Sequence, residues 1–142
     1  MLQKEKTMWK KSVLLFFAFL TLGFCNFVRG AEPEPEALRQ TIRDYIAHQE
    51  KLQGAFAILD QKNGSLRQLK LVRVHERVGK TGNYYYSCTD MNDTKSGDLL
   101  DLDFDIQEQK GALSVAAIRI HKDNGKPRYT YDDKDNMIPA QD

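Results

Sequence analysis

Arg73, His75, Cys88, Asp101, Asp103, Arg119 and His121 are polar side chains set inside stretches that otherwise alternate like β-strands. Imidazole, thiolate and carboxylate are the groups that hold zinc or copper. In a simple antiparallel meander turning across Gly79–Gly82, residue 75 falls near 86, 73 near 88, 88 near 101 and 101 near 119. That register gathers the seven into one belt, with His75, Cys88, Asp101, Asp103 and His121 as a metal- or thiol-dependent site. Each member also has a plainer role. A histidine at a strand edge needs no ligand, and Cys88, in phase with Tyr84 and Tyr86, suits a small buried apolar position. A one-residue slip would send any of them to the opposite face. Cys-x-x-Cys and His-x-x-x-His spacings are absent. A thiol nucleophile needs His75 or His121 beside Cys88, and no oxyanion-hole or nucleophile-elbow motif accompanies them, so the sequence reads as a non-enzyme more readily than as an enzyme. The geometric test is clear: Cys88 lies either within a few ångströms of a histidine or under a helix among Leu38, Ile42 and Ile46.

Two further patterns carry chemistry. Asp101-Leu-Asp-Phe-Asp105 would place carboxylates on one strand face about 7 Å apart. The preceding Asp90–Asp98 segment has the acidic spacing of a calcium loop, but Lys95 stands where the turn needs glycine and Asp101 where a glutamate is expected. The simpler expectation is a solvated sheet face, with Arg119 paired across it. Tyr84, Tyr86, Arg119, Arg128 and Tyr129 form a second candidate surface, because tyrosine combines an apolar ring with a polar tip and suits contact with a partner.

The chain begins with Lys4, Lys6, Lys10 and Lys11, continues through the 17 uncharged residues Ser12–Val28, and reaches Gly30-Ala31. This is the three-part pattern of a secretory signal, cut after Gly30. The alternatives, a retained membrane anchor or a lipoprotein modified at Cys25, are less favoured: the run is short for a span and bulky Phe24 precedes the cysteine. All three deliver the domain outside the cytoplasm, periplasmic or secreted, with the membrane touched only through an uncleaved leader. The leader carries five of the 21 basic and one of the 20 acidic side chains, which leaves residues 31–142 a net charge of −3. Nucleic acid is therefore not an expected partner. Cys88 is then the sole cysteine, so no internal disulfide staples the fold.

Elements able to position these residues follow from periodicity. Residues 31–36 form an acidic, proline-rich linker. Leu38, Ile42, Tyr45, Ile46 and Leu52 recur at helical spacing, and Gly54 stops the helix. Strands follow over 55–59, 66–78, 83–90, 100–107 and 113–121, with a last hairpin onto 128–131. The apolar phase of the second slips between Leu71 and Val72, which predicts a bulge. The expected fold is α+β: one amphipathic helix on a curved antiparallel sheet of five or six strands, a single domain over 37–132, and a frayed tail over 133–142. In element order, residues 36–131 resemble the cystatin-like and NTF2-like rolls, although the Gln-x-Val-x-Gly loop of inhibitory cystatins is absent. The leading expectation is a small binding or interaction domain outside the cytoplasm, whose concave sheet face or hairpin tips contact a protein, peptide or small ligand, with the metal- or thiol-dependent site as the alternative; no cofactor is identified.

Overall fold

Leu38, Ile42 and Ile46 form the buried stripe of helix α1 (Pro35–Gln53) in the computed structural model, which describes residues 31–140. Pro35 sits in the first turn, where its missing N–H costs nothing, and Gly54 ends the helix with φ 79°, its N–H bonding the carbonyl of Glu50. The segment 1–30 that the sequence pattern reads as a signal, with Cys25, lies outside the described residues. Among the described residues no helix is long and apolar enough to cross a membrane.

Beyond α1 the chain makes β1 (Phe56–Asp60), β2 (Ser65–Val74), β3 (Gly79–Thr81), β4 (Tyr84–Asp93), β5 (Leu99–Gln109), β6 (Ala112–Asp123) and β7 (Lys126–Pro127). They pair antiparallel in the order β1-β2-β4-β5-β6-β7, with β3 alongside β4. The sheet is strongly curled, a half-barrel with α1 packed on one face. That α+β architecture is the one the periodicity predicts. Leu100, Leu102, Phe104 and Ile106 of β5 point toward α1, where Phe104 stacks on Phe56 at 6.1 Å and meets Tyr45 edge-on at 6.4 Å.

Three departures from a plain meander decide where the polar residues go. In β2 the register shifts between Leu71 and Arg73, so Val72 is the extra residue, and Arg73 and His75 turn to the face away from α1. In β6, Asp101 pairs with Lys122 but Leu102 pairs with Ile120, which makes His121 a bulged residue. The β3–β4 hairpin closes through Gly82-Asn83, with Thr81 opposite Tyr84, rather than across Gly79–Gly82. Pairing is consequently offset by two from the simple count: Arg73 opposes Asp90, Cys88 opposes Asp103, and Asp103 opposes Arg119. An even offset preserves the face, because side chains alternate with period two.

The chain end also differs from the expected hairpin. Only Lys126 and Pro127 pair with β6; then β8 (Tyr129–Tyr131) leaves the sheet and pairs with β9 (Met137–Pro139). Residues 137–139 of the segment read as a tail thus form a strand. This small hairpin lies across the sheet face opposite α1, held by Thr81 Oγ1 on the carbonyl of Asp135 at 2.6 Å and by the Tyr86 hydroxyl on Asp135 Oδ1 at 2.8 Å.

Candidate metal centre

Asp101, Asp103 and Asp105 alternate along β5 on the face away from α1. The sequence suggests that this face is wet. It is instead covered by β8, whose Tyr129 and Tyr131 reach Asp103, and Asp103 is fully buried while Asp101 is 6% exposed. A buried carboxylate needs hydrogen bonds. Asp103 Oδ2 accepts them from the hydroxyls of Tyr129 (2.7 Å) and Tyr131 (2.6 Å). Burial, reinforced by Asp103, pushes both phenols up from their ordinary range, so they remain donors. Asp105 binds the Arg119 guanidinium through both oxygens, which is the cross-strand pairing anticipated for Arg119, although with its neighbour rather than with Asp101 or Asp103.

The second oxygen of Asp103 faces a cluster. Cys88 Sγ donates to Asp103 Oδ1 at 2.8 Å and lies 3.7 Å from His121 Nδ1. His121 Nδ1 is 3.7 Å from Asp101 Oδ2 and 3.8 Å from Asp103 Oδ1. One ligand atom from each of Cys88, Asp101, Asp103 and His121 lies within 4.8 Å of all the others. The His121 ring is stacked on Tyr129 at 4.9 Å, which fixes its plane, and the β6 bulge places both His121 and Lys122 opposite Asp101. Asp101 Oδ2 accordingly has Lys122 Nζ at 3.4 Å, whereas Asp101 Oδ1 is buried with no hydrogen-bond partner. Burial first, and Asp103 second, push the Cys88 thiol well above its usual range.

His75 falls beside this cluster. His75, Asp90 and Asp101 form another group whose ligand atoms lie within 4.8 Å of one another, so Asp101 belongs to both. A cleft of about 210 Å³ opens over the pair, lined by His75, Arg77, Tyr86, Cys88, Asp101 and His121 among others. All five sequence-predicted ligands therefore come together, and Cys88 lies beside His121 rather than beneath α1. Asp90 was missed by the sequence reading; it shares the strand phase of Tyr84, Tyr86 and Cys88, and that phase is the signal that points to it.

No protein-family model, curated protein or solved structure matches the chain. The likeness to cystatin-like and NTF2-like rolls stays one of element order alone.

The other candidate residues are spent on structure. Tyr86 is buried and stacks on Tyr131 at 4.5 Å, Tyr129 is buried over His121, Arg119 holds Asp105, and Arg128 holds Asp60 and Asp123. Of the five, only Tyr84 is exposed. The calcium-like segment is likewise engaged: Arg67 reaches Asp93 at 3.0 Å and Asp98 at 2.8 Å, Asn124 donates to Asp98, and Asp93 caps the backbone of Lys95 and Ser96.

Gly79 supports the wall of the cleft. A Cβ built there would clash with the Tyr86 ring, whose face is stacked on Tyr131 and whose hydroxyl is tied to Asp135. Gly79→Ala is expected to cost about 1–3 kcal/mol, the usual range for overpacking, measured as a lowered urea midpoint with an unchanged slope. A midpoint within error of wild type would show that the ring moves freely.

Proposed function

We propose that the chain is an exported binding domain whose ligand is a divalent transition-metal ion, zinc being the best match, held by Cys88, Asp101, Asp103 and His121. The observation that carries this reading is the convergence of four donor atoms of the right kinds in one buried place. A tetrahedral zinc ion at its ordinary bond lengths holds its ligand atoms about 3.3–3.7 Å apart. The separations of 3.7, 3.7 and 3.8 Å are close to that, and the short Cys88–Asp103 contact of 2.8 Å is a hydrogen bond that the ion would replace. The tyrosine hydroxyls on Asp103 Oδ2 act as an outer shell, leaving Oδ1 for the ion.

Thiol catalysis fits these residues less well. A nucleophilic cysteine needs surroundings that favour the thiolate, and here burial and two carboxylates oppose it. A dication reverses that balance: it displaces the thiol proton and offsets the carboxylates. Export rests on the leader pattern, which places the ligand outside the cytoplasm.

Cobalt(II) is a suitable reporter, because a thiolate ligand gives it a sulfur-to-metal charge-transfer band. Titration of the full chain should produce that band with one thiolate per ion, and Cys88→Ser should abolish it. Absence of the band in the wild-type chain would defeat the proposal.

A further inference from the structure

We infer that a second metal ion binds at His75, Asp90 and Asp101, with Asp101 bridging it to the first. The inference rests on the first site to this extent, that Asp101 serves both. Asp101 Oδ2 is directed at His121 and Lys122, and Oδ1, buried and without a donor, remains for another ion. On the neighbouring strand Asp90 opposes Asp101 directly. Arg73 Nε donates to Asp90 Oδ2 at 2.7 Å, which fixes that carboxylate and leaves Oδ1 toward the histidine. His75 Nε2, itself a buried atom, stands 3.0 Å from Asp90 Oδ1, so the imidazole and both carboxylates share one place. The unpartnered, buried Asp101 Oδ1 thus belongs to a single three-residue group with an imidazole and a second carboxylate.

The two positions differ in chemistry. The first has four protein ligands including a thiolate and is closed. The second has one imidazole and two carboxylates, so an ion there keeps a coordination position for water or a small anion, as open zinc sites do. That position faces the cleft, whose rim carries Arg77 and Lys122, side chains able to attract an anionic ligand. The positive charge of Arg73 beside Asp90, together with the lack of a thiolate ligand, makes the second ion the weaker of the two.

The bulges give this arrangement its origin. Without the extra residue at Val72, Arg73 and His75 would face α1; without the bulge at His121, one of the two β6 residues opposite Asp101 would be lost.

The test is zinc stoichiometry of the full chain by equilibrium dialysis and elemental analysis, with cobalt titrations run in parallel. Two zinc ions per wild-type chain are expected, falling to one in His75→Gln and in Asp90→Asn, with the cobalt–thiolate band intact in both. A single zinc in wild type, insensitive to His75→Gln, overturns the second ion and leaves the first. A single zinc that survives Cys88→Ser but is lost in His75→Gln overturns the first site instead. No zinc at all overturns both. The wild-type count decides the matter even where a variant folds poorly.

Discussion

Zinc at a thousand times the dissociation constant of the Cys88 site should stabilise the chain through that site by about 4.1 kcal/mol, and Cys88→Ser should remove that part of the gain. For a domain of this size the gain corresponds to a rise in Tm of about 10–20 °C. The argument is one of linkage: Cys88, Asp101, Asp103 and His121 come from three strands, so an unfolded chain presents them as scattered weak ligands. Serine is the informative substitution. Its hydroxyl can still donate to Asp103, which preserves the metal-free packing, but it does not ionise at neutral pH and ligates zinc poorly. Calcium serves as the contrasting ion, since it seeks six to eight oxygens and the cluster offers a sulfur and a nitrogen. Equal stabilisation by zinc and calcium, or a zinc effect undiminished in Cys88→Ser, would sink the reading of Cys88 as a metal ligand.

Much of this site was legible because strand periodicity is insensitive to the errors made in counting register. The simple meander placed Cys88 opposite Asp101 where the pair is Cys88 and Asp103, but a two-residue error leaves every side chain on its proper face. The bulge at Leu71–Val72 was visible as a break in apolar phase; the one at His121 was not, since His121, Lys122, Asp123 and Asn124 are all polar and carry no apolar phase to break. The environment of the carboxylates was the larger surprise. Alternation in β5 tells which residues turn away from α1, not what comes to lie over them. Their cover comes from β8, a three-residue strand paired with the equally short β9, and both are too short to carry a periodic signal. That cover turns Tyr86 and Tyr129 from candidate partner contacts into packing around Asp103 and His121.

Arg128→Ala is expected to cost about 3–5 kcal/mol at pH 7, because it strands a buried carboxylate. Asp60, at the end of β1, is 0% exposed, and Arg128 grips it from the junction of β7 and β8 with bonds of 2.7 and 2.8 Å. Lys62 N–H adds a bond of 3.0 Å to the same carboxylate, and Asp123 on β6 shares the guanidinium at 3.1 Å. This pair joins residues 68 apart in sequence and closes the curl of the sheet next to Tyr129, so it also steadies the cover of the metal cluster. The Arg128 hydrogen bond holds the Asp60 carboxyl below the usual carboxylate range, against the opposing effect of burial, with Arg67 adding to the attraction. The sign of the pH dependence follows. In the wild-type chain a depressed carboxyl contributes stability that is present above an unfolded pKa of about 3.9 and is lost as pH falls through the lower folded value. Removing Arg128 leaves burial dominant and raises the Asp60 carboxyl, so in the variant acid relieves the penalty. The difference between the two proteins should therefore shrink between pH 7 and pH 4.5 in urea unfolding. Asp60→Asn combined with Arg128→Met should recover much of the loss at pH 7, since the amide still accepts from Lys62 and no charge remains to be neutralised. A double variant no better than Arg128→Ala would mean that Arg128 acts through packing of its long stem rather than through Asp60.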